Sequence, residues 1–367
     1  MRIRSWVMTA SAAPLSPVER DEGPVAGNQV MIEVAGCGVC HTDLGFLDDG
    51  VPVRGSLPLT LGHEISGRVV EAGPLAMKWL SRTVVVPAVI PCGGCDLCLL
   101  GRGSICRSQI FPGNDIHGGF ASHVMVPAPG LCAVPPLEEH PASLAELAVL
   151  ADAVTTPYQA IRRSRLQQGD VAIFVGAGGV GGFGVQIARA LGATVIAIDV
   201  DEDRLKLISK HGASFVLDGR GISSKDLRRQ VRDYVRRNSL PDVRWKIFET
   251  SGTTAGQETA FALLTYGAYL GVVGYTPRDV TVRLSNLMAF DACAEGNWGC
   301  LPELYPEALA LVLEGKVELR PFVEIHPMSR INDVLDAIRN REIKKRVVLV
   351  PDFKWESVAC RPASPMS

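Results

Sequence analysis

Asp170-Val171-Ala172-Ile173-Phe174-Val175-Gly176-Ala177-Gly178-Gly179-Val180-Gly181-Gly182 opens a pattern that decides the fold. Asp170 to Phe174 reads as a strand buried on both faces, Val180 to Leu191 has helical periodicity, and Thr194 to Ile198 is strand again. Strand, glycine turn, helix and strand make a βαβ unit, so a parallel sheet begins here. In that context a G-x-G-x-x-G run is a dinucleotide fingerprint rather than a chance match. Gly176 permits the tight turn, Gly178 lets backbone approach a pyrophosphate, and Gly181 lets helix and strand pack closely. Gly179 and Val180 start the helix, whose free N–H groups and positive end suit phosphates. Asp199 ends the second strand, 23 residues after Gly176. A carboxylate there accepts hydrogen bonds from the adenosine ribose and repels a 2′-phosphate, which predicts NAD rather than NADP. The competing reading is a purely structural glycine turn.

Working outward, Phe215 to Leu217, Trp245 to Phe248 and Tyr269 to Val273 read as further strands, with helices from Lys225 to Arg237 and from Gln257 to Leu264 between them. Before residue 151 the pattern differs. Short β runs such as Val30 to Val34 and Thr83 to Val86 alternate with Gly and Pro, which reads as a mostly β domain. After Asn297 come a helix, Tyr305 to Leu313, and a strand, Arg346 to Val350; this segment is too short to fold alone and is expected to return to the first domain. The expected fold class is therefore α/β. A Rossmann-type doubly wound parallel sheet (153–297) is inserted in a mostly β domain (1–152 and 298–367). The tail from Pro351 to Ser367, with three prolines and three serines, reads as disordered or as packing on a partner subunit.

The 367 residues allow two cores, and 47 % hydrophobic with 21 % charged residues is an ordinary globular balance. A net charge of −2 lacks the basic footprint of a nucleic-acid binder. No stretch approaches the ~20 apolar residues that cross a bilayer. The amino terminus, Met1 to Trp6, has no apolar signal core, which predicts a cytoplasmic location.

Ten cysteines in a long chain without an export signal point to metal rather than to disulfides. Cys92, Cys95 and Cys98 are spaced by two residues, and Cys106 follows after seven more, with Gly93, Gly94, Gly101 and Gly103 between them. Four thiolates so placed can wrap one tetrahedral zinc in a closed, structural site; a free-thiol or disulfide loop is the alternative. Cys40-His41-Thr42-Asp43 and Gly62-His63-Glu64 supply a second set. Cys40 and His63 suit a catalytic zinc, which takes three protein ligands and keeps one position open. Asp43 is placed to orient the His63 imidazole. Taken alone, the pair reads equally well as a buried cysteine and a structural histidine.

Together these motifs resemble the medium-chain zinc alcohol dehydrogenases over nearly the whole chain. The resemblance implies a GroES-like catalytic domain split around the Rossmann domain, with the active site in the cleft between them. It implies Cys40 and His63 as catalytic zinc ligands and Cys92, Cys95, Cys98 and Cys106 as structural ones, two zinc ions per chain in all. It further implies His41 at the pyrophosphate and Thr42 taking the substrate's proton. Asp199 and Arg204 would hold the ribose, Thr156 and Val273 would line the nicotinamide, and Arg346 would reach the phosphates. Two positions depart from many members. Asp152, in Leu150 to Tyr158, stands where a third cysteine ligand is common, and we assign it to zinc with Glu64 as the rival. Gly45 stands where several relatives end a proton relay with histidine.

The stretches Ala35 to Phe46, Pro112 to His123 and Ala151 to Ala160 carry a closer resemblance. It is to members that oxidise the ring hydroxyl of an alicyclic acyl-CoA with NAD in anaerobic aromatic degradation. Val89 and Ile90 occupy a segment where relatives for small alcohols often carry an aromatic residue, which predicts a thinner pocket wall. Competing readings are a general alcohol or polyol dehydrogenase, a zinc-independent reductase of the same superfamily, and a non-catalytic NAD-binding protein. The expected assembly is a homodimer or homotetramer without nucleic-acid or membrane partners.

Overall fold

The computed structural model describes residues 1–138 and 140–353. The tail expectation therefore falls, from residue 354 onward, outside the described residues. In chain order the first region comprises β1 (Arg2–Met8), β2 (Ser16–Asp21), β3 (Gln29–Gly38), α1 (His41–Leu47), β4 (Leu59–Thr60), β5 (Glu64–Ala72) and β6 (Thr83–Val86). It continues with α2 (Asp96–Leu99), β7 (His123–Pro127) and β8 (Cys132–Ala133), and a short 3₁₀ turn, Glu146–Ala151, leads out of it. Strands β3, β5 and β6 run antiparallel, with β7 also on β3, and their apolar faces enclose a core that includes Val30, Ile32, Ile65, Val84 and Val124. Helix α1 follows directly from β3, which puts Cys40, His41 and Thr42 at the end of the sheet.

The central region comprises α3 (Thr155–Arg163), β9 (Val171–Val175), α4 (Gly179–Ala190), β10 (Thr194–Asp199), α5 (Glu202–Lys210), β11 (Phe215–Asp218) and α6 (Ser224–Arg237). Then come β12 (Lys246–Glu249), α7 (Thr254–Ala262), β13 (Tyr269–Val272), α8 (Ser285–Phe290) and β14 (Cys293–Gly296). The six strands run parallel in the order β11-β10-β9-β12-β13-β14. Strand order reverses between β9 and β12, and such a switch point opens a crevice at the carboxyl ends of the strands. All five residues of β9 are buried, as a central parallel strand covered on both faces requires. The helices start where the sequence caps them. Asp201 accepts the N–H groups of Asp203 and Arg204 at the start of α5, Ser223 accepts that of Asp226 in α6, and Thr253 accepts that of Gly256 in α7.

The last region, α9 (Tyr305–Leu313), β15 (Val323–Pro327), α10 (Ile331–Arg339) and β16 (Arg346–Val350), returns to the first sheet. Strand β15 pairs parallel with β16, and β16 pairs antiparallel with β3 at Cys37 and Gly38, just before Cys40. Among the described residues no helix is long and apolar enough to cross a membrane.

Candidate metal and cofactor site

The glycine turn has the conformation its residues were chosen for. Gly176 adopts φ +100°, and a Cβ there would lie 2.6 Å from the backbone nitrogen of Ser251. A Cβ on Gly181 would lie 1.9 Å from the Gly176 carbonyl oxygen, so helix and strand can approach this closely only without a side chain. Gly178 precedes α4 in an extended conformation, and no side chain caps the helix. The first-turn N–H groups are therefore left for an anion. Cations gather above them. The Arg204 guanidinium lies 3.6 Å from the Cβ position of Gly178 and that of Arg346 3.5 Å from the Cβ position of Gly179. Surrounding protein, then the charges of Arg346 and Arg204, lower the pKa of His41.

Asp199 ends β10 and is 7 % exposed. Its carboxylate accepts the N–H of Ala177 at 2.6 Å, of Val200 at 2.7 Å and of Asp201 at 2.9 Å. One carboxylate therefore braces the glycine turn and the start of the next connection. The buried Nε of Arg204 has no hydrogen-bond partner among the described residues.

Next to the turn, ligand atoms of Cys40, His63, Glu64 and Asp152 all lie within 4.8 Å of one another. Asp152 Oδ2 is 3.8 Å from Cys40 Sγ and 3.7 Å from His63 Nε2. Its other oxygen accepts the Thr156 hydroxyl. Burial alone would raise the Asp152 carboxyl, but His63 and Arg346 outweigh it and hold it at about 2. Glu64 is engaged elsewhere: Arg346 pairs with both of its oxygens and the Ala153 N–H donates to it at 3.0 Å. Asp43 accepts the backbone N–H of Cys40 at 2.9 Å and of Gly62 at 3.1 Å, which ties the two ligand segments together. Its Oδ1 faces His63 Nδ1 at 3.6 Å, and that buried nitrogen has no hydrogen-bond partner among the described residues. Burial would lower the His63 pKa, yet Asp43, Asp152 and Cys40 raise it, so this pocket favours positive charge at its centre. A sulfur, an imidazole and a carboxylate converging there are the donor set of a zinc with one position left open.

The four cysteines of the loop also converge within 4.8 Å. Cys95 Sγ is 3.5 Å from that of Cys98 and 3.7 Å from that of Cys106. The Gly94 backbone N–H, with Cys106, brings the Cys92 thiol down to about 6, whereas burial and its neighbours push Cys98 up to about 12. Four converging sulfurs suit a structural zinc. The loop is docked on the nucleotide-binding half through Arg102–Glu295 at 3.3 Å and Arg163 to the Ser104 hydroxyl at 3.3 Å.

Residues 26–136 match the alcohol dehydrogenase GroES-like domain, and residues 179–314 match the zinc-binding dehydrogenase domain. An NAD-dependent alcohol dehydrogenase of Sulfurisphaera tokodaii is 32 % identical over 355 residues, covering 91 % of this chain and 97 % of that one. The chain belongs to the medium-chain zinc-dependent alcohol dehydrogenase family. An alcohol dehydrogenase of Geobacillus stearothermophilus is 29 % identical over 352 residues, covering 95 % of this chain and all of the relative. The crystal structure of the alcohol dehydrogenase from Aeropyrum pernix superposes with a TM-score of 0.82 at 30 % identity, covering 95 % of this chain and 100 % of that one. As a member of this family the protein is an NAD-dependent zinc enzyme, and its two donor clusters fit two zinc ions.

Of the expected site residues, Cys40, His63, Glu64 and Asp152 converge in one cluster and Cys92, Cys95, Cys98 and Cys106 in the other, and two further expectations differ in detail. Arg346, expected at the phosphates, lies over the turn but spends its hydrogen bonds on Glu64. Val89 and Ile90 are 1 % and 3 % exposed, and a Cβ on Gly299 would lie 2.9 Å from Val89, so both are packing residues rather than an open wall. The aromatic ring beside the metal site comes from elsewhere: Phe111 lies 4.9 Å from the His63 ring. Sequence reasoning passed over it, although Phe111 immediately precedes the Pro112 to His123 stretch that carried the closer resemblance. Val273 follows β13, and its N–H donates to the Glu249 carbonyl at 2.9 Å.

Proposed function

We propose that Cys40, His63 and Asp152 hold the zinc at which a secondary ring alcohol is oxidised, and that the substrate is an alicyclic hydroxyacyl-CoA. The specific reaction is 6-hydroxycyclohex-1-ene-1-carbonyl-CoA to its 6-oxo thioester. The observation that supports this reading is Asp152. It faces Cys40 and His63 at the metal position, and it lies inside the Ala151 to Ala160 stretch that resembles the enzymes of that chemistry.

When bound, zinc supplies a Lewis acid that makes the hydroxyl more acidic, and NAD accepts the hydride. The chain's own residues position and relay. Thr42, its hydroxyl 3.6 Å from Cys40 Sγ, accepts the substrate's proton. Residue 45 is glycine, so α1 offers no imidazole one turn on, and the half-exposed Thr42 passes the proton to water. Asp43 holds His63 and the Cys40 backbone in place. Asp199 and Arg204 hold the adenosine ribose, Thr156 and Val273 flank the nicotinamide, and His41 with the first turn of α4 faces the pyrophosphate. Cys92, Cys95, Cys98 and Cys106 hold the second zinc and keep their loop against the nucleotide-binding half.

A second reading, an alcohol dehydrogenase without a CoA requirement, is favoured by the relatives, which are named for alcohols in general. Steady-state kinetics on the CoA ester, the free hydroxy acid and simple cyclohexanols separate the two. The proposal expects kcat/KM for the ester to exceed the others by at least tenfold. Comparable values for all three would mean that the CoA arm contributes no transition-state binding, and the second reading would stand.

A further inference from the structure

Thr156 lies in the first turn of α3, four residues after Asp152. Its backbone N–H donates to the Asp152 carbonyl at 2.8 Å, and its hydroxyl donates to Asp152 Oδ1. The carboxylate is thereby divided. Oδ1 is occupied by Thr156, while Oδ2 is the oxygen near Cys40 Sγ, His63 Nε2 and, at 4.0 Å, Arg346. Thr156 is itself held from the far side, because Asn297 Nδ2 donates to its carbonyl at 3.2 Å. Gln159 then donates to Asn297 Oδ1 at 3.1 Å and accepts the Leu301 N–H at 2.8 Å. A free carboxylate on a short side chain can rotate to offer either oxygen, or both. Here the torsion is set from outside.

We infer that Thr156 is a positioning residue for the metal, fixing Asp152 as a ligand through one oxygen only and so preserving the open position that a substrate hydroxyl needs. A thiolate at residue 152 would need no such partner, since a single sulfur has one way to bind. Partners of this kind to a metal ligand are typically worth ten- to a hundredfold in metal affinity.

The inference rests on the proposed role of Asp152, and the experiment keeps the two apart. Full-length wild type, Asp152→Ala, Thr156→Val and Thr156→Ser are dialysed against graded chelator, and zinc per chain is counted. The zinc at Cys40, His63 and Asp152 is also replaced by cobalt, whose visible spectrum reports coordination number and geometry without turnover. The expected result is that Thr156→Val retains the zinc at Cys40, His63 and Asp152 ten- to a hundredfold less tightly and shows a shifted cobalt spectrum, while Thr156→Ser restores both. If Asp152→Ala loses the zinc but Thr156→Val keeps wild-type affinity and spectrum, the positioning role is wrong and the ligand assignment survives. If Thr156→Ser is as weak as Thr156→Val, the hydroxyl is not the active element and the inference fails. If Asp152→Ala keeps two zinc ions, the ligand assignment fails and this inference with it.

Discussion

Replacing Asp199 by alanine tests the cofactor assignment where the structure makes the outcome calculable. Asp199 is 7 % exposed and sits at the carboxyl end of β10, beside the glycine turn. One charge-assisted hydrogen bond to the ribose is worth roughly 1.5–3 kcal/mol. At about 1.4 kcal/mol per factor of ten, NAD affinity should fall about ten- to 150-fold. Against NADP the sign reverses, because the negative charge that repels the 2′-phosphate is gone. The unpartnered Arg204 Nε is then close at hand for that phosphate. The ratio of kcat/KM for NAD over NADP should therefore drop by at least tenfold.

The same carboxylate also accepts three backbone N–H groups, of Ala177, Val200 and Asp201. Leaving one of them buried and unpaired costs about 1–3 kcal/mol, so Asp199→Ala should melt earlier as well. Asp199→Asn separates the effects, since its amide oxygen still accepts while its charge is lost. Cofactor preference is measured by steady-state kinetics well below the melting temperature of both variants. A ratio that moves less than threefold in a folded variant would refute the argument, as would a wild-type protein that already prefers NADP.

Elemental analysis of freshly purified protein should find two zinc ions per chain, and Asp152→Ala should keep only the one in the cysteine loop; one zinc or fewer in active wild type contradicts this. Arg346→Met leaves Glu64, which is fully buried, without its cation, and should destabilise the fold by ~3–5 kcal/mol in denaturant melts. Adding Glu64→Gln to that variant should recover most of the loss, and an unchanged double variant would mean that the pair is not the cause. Gly176→Ala must place a Cβ 2.6 Å from the Ser251 nitrogen at φ +100°, so nucleotide titration should show at least tenfold weaker NAD binding; wild-type affinity would show that the turn can relax.

What was legible in the sequence divides along physical lines. The turn, β9, α4, β10, α6 and α9 could be read because local chemistry dictates them: glycines where no side chain fits, apolar runs where strands are buried, periodic stripes where helices are amphipathic. Helix α3 could not. Seven of its nine residues, Thr155 to Ile161, are buried, so it has no contrasting polar face to announce it. Strand β14 is the sheet edge, largely exposed, and Cys293-Ala294-Glu295-Gly296 shows neither alternation nor an apolar run. Helix α10 did carry a signal, with Ile331, Val334 and Leu335 on one face, in a segment read only for strands. The metal ligands were legible as residue types at suggestive spacings. That Glu64 is paired while Asp152 Oδ2 lies beside Cys40 and His63 was not, because that depends on Arg346, 282 residues from Glu64.

Arg346 also explains why the chain must return to its first sheet. Strand β16 pairs with β3 at Cys37 and Gly38, so its first residue arrives beside the Cys40 segment and against the glycine turn. From that position one buried guanidinium does three things. It binds both oxygens of Glu64, and it lies 4.0 Å from Asp152. It also reaches the Cβ position of Gly179 at the start of α4. Two buried carboxylates in one cluster would otherwise repel each other, and the cation offsets that repulsion while making no hydrogen bond to Asp152 Oδ2. An anionic cofactor arriving over the turn draws on the same charge. Its phosphates would compete with Glu64 for Arg346, which would couple cofactor binding to the electrostatics at the Cys40, His63 and Asp152 cluster.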